Sequence, residues 1–344
     1  MLEALSARIA RLLVSAEPRA EPSGAQNPTP AFDVTGQEAG VFAGLNDLVN
    51  RNGSVPYSAL FVRRLLEGAL ALAPDCGVRI AGARVLELGS SPRPGLPLTC
   101  LLLGARSVAA NNVIPIERSL PESSCALALL LLGSRPEVTA GRLNAVCGPR
   151  DDRGMRTLDR EKFRVFAPMP GEELPDEAGG ADLVFSFSVL EHVRRPREFL
   201  RRAFELTAPG GVHVHTIDLR DHRDFSRPLE FLRMTADEYE AATGGSENRL
   251  RSCEQIELFR EAGFEILATR WMDRVPSVAK DGTTALLDWY AARVEEIWTA
   301  GSHEEIHPWV EDSTRASFEA PWRSMSLEEL SAMGVLVVAR RPAE

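Results

Sequence analysis

The sequence predicts an α/β fold built on a parallel sheet with helices on both faces. Three observations carry this. Short apolar runs with strand character recur along the chain, helical patterns lie between most of them, and the first run stops at Gly89 before a loop of small polar residues. Strands and helices in alternation imply parallel strands joined by crossovers, and such crossovers cover both faces of a sheet.

The elements follow in order. Leu2, Leu5, Ile9, Leu12 and Leu13 recur at helical spacing, with Arg8 and Arg11 interrupting. That pattern is a short amphipathic helix that docks on the body or on a second subunit, and it lacks the continuous apolar stretch of a signal peptide. Residues 17–31 hold four prolines and few large apolar groups, so 1–36 reads as a helix and a Pro-rich linker. From residue 37 to 83 a helical strap is expected, with Leu60, Phe61, Leu65, Leu66 and Ala69 on one face and Pro74 ending it. Strands are expected at 84–88, 107–112, 163–167, 181–187, 211–217, 264–271 and 333–339, and helices around 123–132, 197–207, 254–262 and 284–299. The main domain is thus 84–272, closed by a last strand and tail at 333–344. About fifty residues separate the second and third strands and about sixty the sixth and seventh. Insertions that long tend to be functional, and 273–332 is expected to cap the active site.

Composition narrows the class. The chain has 344 residues, 44% of them apolar, with a net charge of −10 and a pI near 5.3. That is ample for a buried core, and it argues against a nucleic-acid partner. The longest apolar run, 126–132, falls far short of the roughly 20 residues of a membrane span. Five cysteines, with no CxxC among them, read as buried free thiols in a reducing compartment, and a cytoplasmic location is expected.

The loop VLELGSSPRPG, 85–95, ends a buried strand in an acidic residue and a glycine. In a doubly wound sheet, ligands bind at the carboxyl ends of the strands, and a glycine lets them approach the backbone. Glu87 is suited to accept hydrogen bonds from a cationic ligand, although an ordinary strand-to-helix turn has the same look. A nicotinamide-binding loop would read GxGxxG, which GSSPRPG does not.

The stretch 181–211, ADLVFSFSVLEHVRRPREFLRRAFELTAPGG, decides between these readings. Asp182-Leu183-Val184, Leu190-Glu191-His192 and Pro209-Gly210-Gly211, with VLELG upstream, resemble the class I S-adenosylmethionine-dependent methyltransferases. The resemblance covers roughly residues 84–270. It implies a Rossmann-like, doubly wound sheet of seven strands with the last one antiparallel. It implies S-adenosylmethionine bound by Glu87, Gly89, Ser90, Ser91 and Gly95, with Asn112 where the family places a ribose-binding acid. Near adenine it implies the loop 168–174, with Met169, Glu172 or Glu173 as the contact. Phe187, Ser188, Glu191 and His192 complete the cofactor shell.

The acceptor side is expected at HVHTIDLRDH, 213–222. Alternation puts Val212, Val214 and Thr216 on one face of the strand and His213, His215 and Ile217 on the other. His215, Asp218 and His222 are candidate bases, and Asp221 a candidate acceptor contact. A polar loop held by salt bridges to Arg220 and Arg223 is the alternative. Arg249 and Arg251 are candidates for holding an anionic acceptor group, or for neutralising an acidic surface. No metal is assigned. The expected reaction is methyl transfer to a small molecule, as O-methylation of a sugar or specialised metabolite. A catalytically silent binding protein and a nicotinamide-dependent oxidoreductase are the rivals.

Overall fold

The computed structural model describes residue 58 and residues 62–132, 138–224, 227–272 and 302–343. The expected N-terminal helix, the linker, most of the strap and the helix at 284–299 lie outside the described residues.

Ten strands are described: β1 Arg84–Leu88, β2 Ser107–Asn111, β3 Ser119–Pro121, β4 Met155–Thr157, β5 Phe163–Phe166, β6 Ala181–Phe187, β7 Thr207–Asp218, β8 Glu265–Met272, β9 Ser302–His303 and β10 Gly334–Arg340. The main sheet runs β5-β2-β1-β6-β7-β10-β8-β9. The five strands from β5 to β7 pair parallel, and β10 pairs antiparallel with both β7 and β8. Seven strands and a reversed last one match the expectation, and the two-residue β9 adds a short rung at the edge. The chain leaves β1 for β2 on one side and returns to β6 on the other. The carboxyl ends of β1 and β6 therefore bound a crevice of the kind that holds ligands in doubly wound sheets.

Two differences have local causes. The fifth expected strand begins four residues early, because Pro209-Gly210-Gly211 lies inside β7. Gly210 adopts φ +77°, its N–H donates to the Arg341 carbonyl, and the β6–β7 register slips between Ala181 and Leu183. These features form a bulge that glycine permits. The hairpin β3–β4, inside the long insertion, was not expected, since three-residue strands of mixed composition leave no period to detect.

Helices cover both faces. On one, α1 (Glu67–Ala71), α2 (Gly95–Leu102), α3 (Glu122–Leu131) and α4 (Ala140–Val146) accompany a core that includes Val85, Leu98, Val108, Phe163, Phe185, Val214 and Leu336. On the other, α5 (Pro196–Leu206) and α7 (Ser252–Glu261) bury Leu86, Leu88, Val184, Leu200, Phe259 and Val337. A third cluster sits apart. Phe231, Leu232 and Tyr239 of α6 (Ala236–Thr243) and the turn before it pack with Val310, Phe318, Trp322 and Leu330. Of the cysteines, Cys100, Cys125 and Cys147 are buried and Cys76 is half-buried, whereas Cys253 is exposed; all five are free thiols.

The α5/α7 face contains a buried polar chain. Thr207 Oγ1 donates to the Ala203 carbonyl at 2.7 Å, so it accepts from His213 Nε2 at 2.6 Å. His213 Nδ1 is then the acceptor for His215 Nε2–H at 2.9 Å, and His215 Nδ1 accepts from the Ser186 hydroxyl at 2.7 Å. One set of tautomers satisfies every link. Phe264 and Phe259 flank the two imidazoles. Burial pushes His215 down to about 3 and His213 well below the usual imidazole range, so both rings are neutral.

An acid-sensitive fold follows. Unfolded histidines take up protons below about pH 6.5 and these two do not, so stability is present above that pH and falls as pH drops toward the folded values. Buried Glu87 works the other way, because burial raises it to about 8, and it adds stability on acidification between pH 8 and 4.5. Each group contributes about 1 kcal/mol per pH unit, so the three together leave a net loss of about 1.5 kcal/mol from pH 6.5 to 5. Denaturant melts of the wild type and of His213→Gln/His215→Gln should differ in slope, with the double variant gaining stability over the same interval. Parallel curves would mean that the histidines titrate normally in the folded chain.

Candidate active site

The parallel strands end at one edge, and their loops are stitched together there. Gly89 leaves β1 at φ +76°, and a Cβ on it would lie 2.3 Å from Cγ2 and 2.9 Å from Cγ1 of Val189, in the loop after β6. Only glycine fits this approach. The Ser90 N–H donates to the Asn111 carbonyl at 2.7 Å, and Asn112 Nδ2 donates back to the Ser90 carbonyl. Asn111 Nδ2 donates to the carbonyls of Phe166 and Met169, and the Met169 N–H donates to the Asn112 carbonyl. The loops after β1, β2 and β5 thus form one rigid floor. Ser91 accepts from Ser90 Oγ through its carbonyl, and Gly95 opens α2. Phe187 stacks on Phe185 at 5.2 Å, and Ser188 beside it takes φ +52°. Among residues other than glycine such a backbone is uncommon and marks a constrained position.

Glu87 is the distinctive group. It pairs in register with Ala110 and Phe185, is 2% exposed, and its Oε2 has no hydrogen-bond partner among the described residues. Burial lifts it to about 8, against a lowering by the Ser90 side chain. A carboxyl left unsatisfied inside a protein is costly unless a ligand completes it, and a cationic ligand suits it best. The floor and this carboxyl fit S-adenosylmethionine, whose ammonium and sulfonium are both positive.

Across the crevice lies a second group. The turn Leu190–His192 is clamped by Asn248, which donates from its backbone to the Glu191 carbonyl and from Nδ2 to the Leu190 and Val193 carbonyls. The rings of His192 and His222 stand 4.8 Å apart. Glu247 lies 3.9 Å from each, and its Oε2 accepts from the Tyr239 hydroxyl. Partial burial, and then the neighbouring His222 ring, lower His192 below the ordinary imidazole range.

Four sequence expectations need correction. His215 is not at the acceptor: its ring lies in the core beneath α7, spent on Ser186 and His213. Arg251 is wholly buried and donates to the carbonyls of Leu219, Glu329, Leu330 and Ala332, so it pins loops instead of meeting a ligand. Arg249 is sandwiched between Tyr239 and Trp322 and donates to the Phe231 and Met234 carbonyls. Asp221 is buried in a fork with Arg223, the salt-bridge alternative foreseen for this loop. Asp218 makes the same fork with Arg220, yet its Oδ2 also lies 3.8 Å from His222 Nε2. Glu172 is paired with Arg195 at 2.9 Å.

Glu247 and Asn248 were missed, although they fall in a segment singled out for its arginines. Gly244 and Gly245, both at positive φ, mark a tight turn before them, but no local pattern says that it folds back onto Leu190–His192.

A family model described as a methyltransferase domain matches residues 59–269. The chain belongs to this family. S-adenosylmethionine is therefore its cofactor, and the nicotinamide reading is set aside. No curated protein matches this methyltransferase. Solved structures align with this chain at low identity. An S-adenosylmethionine-dependent methyltransferase from Mesorhizobium loti is 15% identical, with a TM-score of 0.39 over 79% of this chain and 98% of that one. Phosphoethanolamine N-methyltransferase 2 of Haemonchus contortus is 16% identical, with a TM-score of 0.40 over 86% of this chain and 60% of that one. The [4+2]-cyclase SpnF is 14% identical, with a TM-score of 0.40 over 99% and 95%. No helix among the described residues is long and apolar enough to cross a membrane.

Proposed function

We propose that this methyltransferase methylates an oxygen of a small-molecule acceptor, a sugar or a specialised metabolite. The observation that carries the cofactor half is the unpartnered buried Oε2 of Glu87 beside the Gly89 turn. S-adenosylmethionine supplies an electrophilic methyl group on a cationic sulfur. Glu87 balances the cofactor's charge, Gly89, Ser90, Ser91 and Gly95 hold its methionine part, and Asn112 and Met169 line the ribose and adenine end. Phe187 and Ser188 close the crevice between β1 and β6. The acceptor lies toward His192 and His222. In-line transfer asks mainly that the two partners be aligned and water excluded. His222 takes the hydroxyl proton, and the Glu247 carboxylate 3.9 Å from the ring offsets the charge that it acquires. The acidity of the chain and the residues after β8, whose described part joins the third hydrophobic cluster, support a small acceptor over a nucleic acid.

Cofactor binding should release a proton. With a folded value of about 8, Glu87 is mostly protonated at pH 7, and a cationic ligand favours its ionised form. Calorimetry with S-adenosylmethionine in two buffers of different ionisation heat should give about one proton released per site. Glu87→Gln should remove that release and weaken binding. Equal heats in the two buffers would place the cofactor's charge away from Glu87. The acceptor is tested by screening a metabolite library with methyl-labelled cofactor. Label transferred only to amines, or to none of the library, would overturn the O-methylation reading.

A further inference from the structure

The corner that faces the acceptor has the composition of a metal site. One ligand atom from each of Glu191, His192 and His222 lies within 4.8 Å of the other two. Glu247 stands beside this set of three as a further donor, with Oε1 3.9 Å from His192 Nδ1 and Oε2 3.9 Å from His222 Nδ1. On the inner side of this corner a cavity of about 10 Å³ is lined by Glu191, Asp218, His222 and Glu247 together with Arg220, Asn248 and three apolar residues, while His192 stands outside its lining. That is about one water-sized sphere. We propose that the chain binds one divalent transition-metal ion here, through Glu191, His192, His222 and Glu247.

The donor set decides the class of ion. Two imidazoles with two carboxylates suit zinc, cobalt or iron(II), whereas magnesium and calcium favour all-oxygen sites. Ligand bonds of about 2.0–2.2 Å put neighbouring donors of a tetrahedral site about 3.4 Å apart, so the corner must contract by about 1 Å. His192, with a side chain 42% exposed, has room to move, and its open side gives an ion a way in. Glu191 is held by Asn248 through its backbone, and Glu247 is oriented by the Tyr239 hydroxyl, the kind of outer contact that fixes ligands in metal sites. Asp218 is already balanced by Arg220, which leaves the carboxylates of Glu191 and Glu247 to balance the ion's two charges.

Binding of the ion does not depend on the methyl-transfer reading. Its consequence does. An ion beside the ends of β6 and β7 that took an acceptor oxygen as a fifth ligand would ease loss of its proton, a task given to His222 when no ion is bound.

The test uses the full chain stripped with a chelator and then titrated with cobalt(II), read by the visible absorption of the bound ion, with zinc as competitor. One ion per chain, displaced stoichiometrically by zinc, is expected. His222→Ala and Glu247→Gln should each weaken binding at least about 10-fold, while His307→Ala leaves it unchanged. Circular dichroism of each variant without metal checks folding. If either buried-side variant fails to fold, His192→Gln, on the exposed ring, carries the decision in its place. No stoichiometric uptake of cobalt or zinc, uptake unaltered in the folded variants of the corner, or preference for magnesium over both would each overturn the proposal. Because the readout needs neither cofactor nor acceptor, failure here leaves the methyl-transfer reading standing, and a failed acceptor screen leaves the metal site standing.

Discussion

Gly89→Val is expected to abolish S-adenosylmethionine binding. Two costs add at this position. A β-branched residue at φ +76° stands in the left-handed region, at about 1–2 kcal/mol. Its Cβ would also meet Val189 Cγ2 at 2.3 Å and Cγ1 at 2.9 Å, both on the side chain that closes the loop after β6. Overpacking of this kind costs about 1–3 kcal/mol. Relief comes from moving one of the two loops: moving the first breaks the floor that joins Ser90, Asn111 and Asn112, and moving the second disturbs the turn in which the His192 N–H donates to the Val189 carbonyl. If the whole sum of about 2–5 kcal/mol falls on the bound geometry, affinity drops by between about 30-fold and several thousandfold. The sequence suggests that a side chain here would enter the cofactor's path, whereas the structure adds a protein neighbour as the first obstacle. A compensating pair separates the two. Gly89→Ala/Val189→Ala removes both γ-carbons from the clash and should recover part of the binding that Gly89→Ala alone loses. Calorimetry on variants shown to be folded reads the result. Normal binding by Gly89→Val would remove this loop from the cofactor site.

Arg251→Ala is expected to destabilise the fold by about 3–5 kcal/mol while leaving no specific mark on acceptor affinity. The guanidinium is wholly buried, and desolvation lowers it only to about 10, so it keeps its charge at neutral pH. It joins three separate segments, donating to the carbonyl of Leu219 after β7 and to those of Glu329, Leu330 and Ala332 before β10 from its own place at the head of α7. Alanine would leave those carbonyls enclosed without a donor, each a desolvation cost of about 1–3 kcal/mol if no water reaches it. The loss corresponds to a fall of roughly 10 °C in Tm. Arg251→Lys keeps the charge but cannot span the same set of carbonyls, so it should fall between. A wild-type Tm with a raised KM for the acceptor would instead return Arg251 to the ligand-facing role that its position in the sequence suggests.

The contrast between these two residues shows where sequence reasoning succeeds and where it stops. Strand identity was legible because apolar runs of the right length, bounded by glycines, prolines and polar turns, leave few alternatives; β1 and β6 fall on the expected residues. The turn after β1 was legible because its requirements are local: a glycine at the end of a buried strand and an acid two residues before it. Even the reversed β10 followed from resemblance to a family whose order of strands is shared. Arg251 was misread because an arginine next to a turn looks the same whether it faces solvent, a ligand or a set of backbone carbonyls. His215 was misread for a related reason. Alternation assigns it correctly to one face of β7, yet which layer of helices covers that face, and whether the ring finds Ser186 and His213 there, depends on contacts between distant segments. Asp218 and His222, four residues apart, could be placed together from the sequence, but Glu247 and the clamp by Asn248 could not. By itself the sequence determined which segments become the main strands and where the glycine turn after the first of them falls, since periodicity and turn chemistry act over a few residues. Only the tertiary structure decided which polar side chains are spent on the core and which converge on the corner formed by His192, His222 and Glu247, because burial and pairing are set by neighbours far away in the chain.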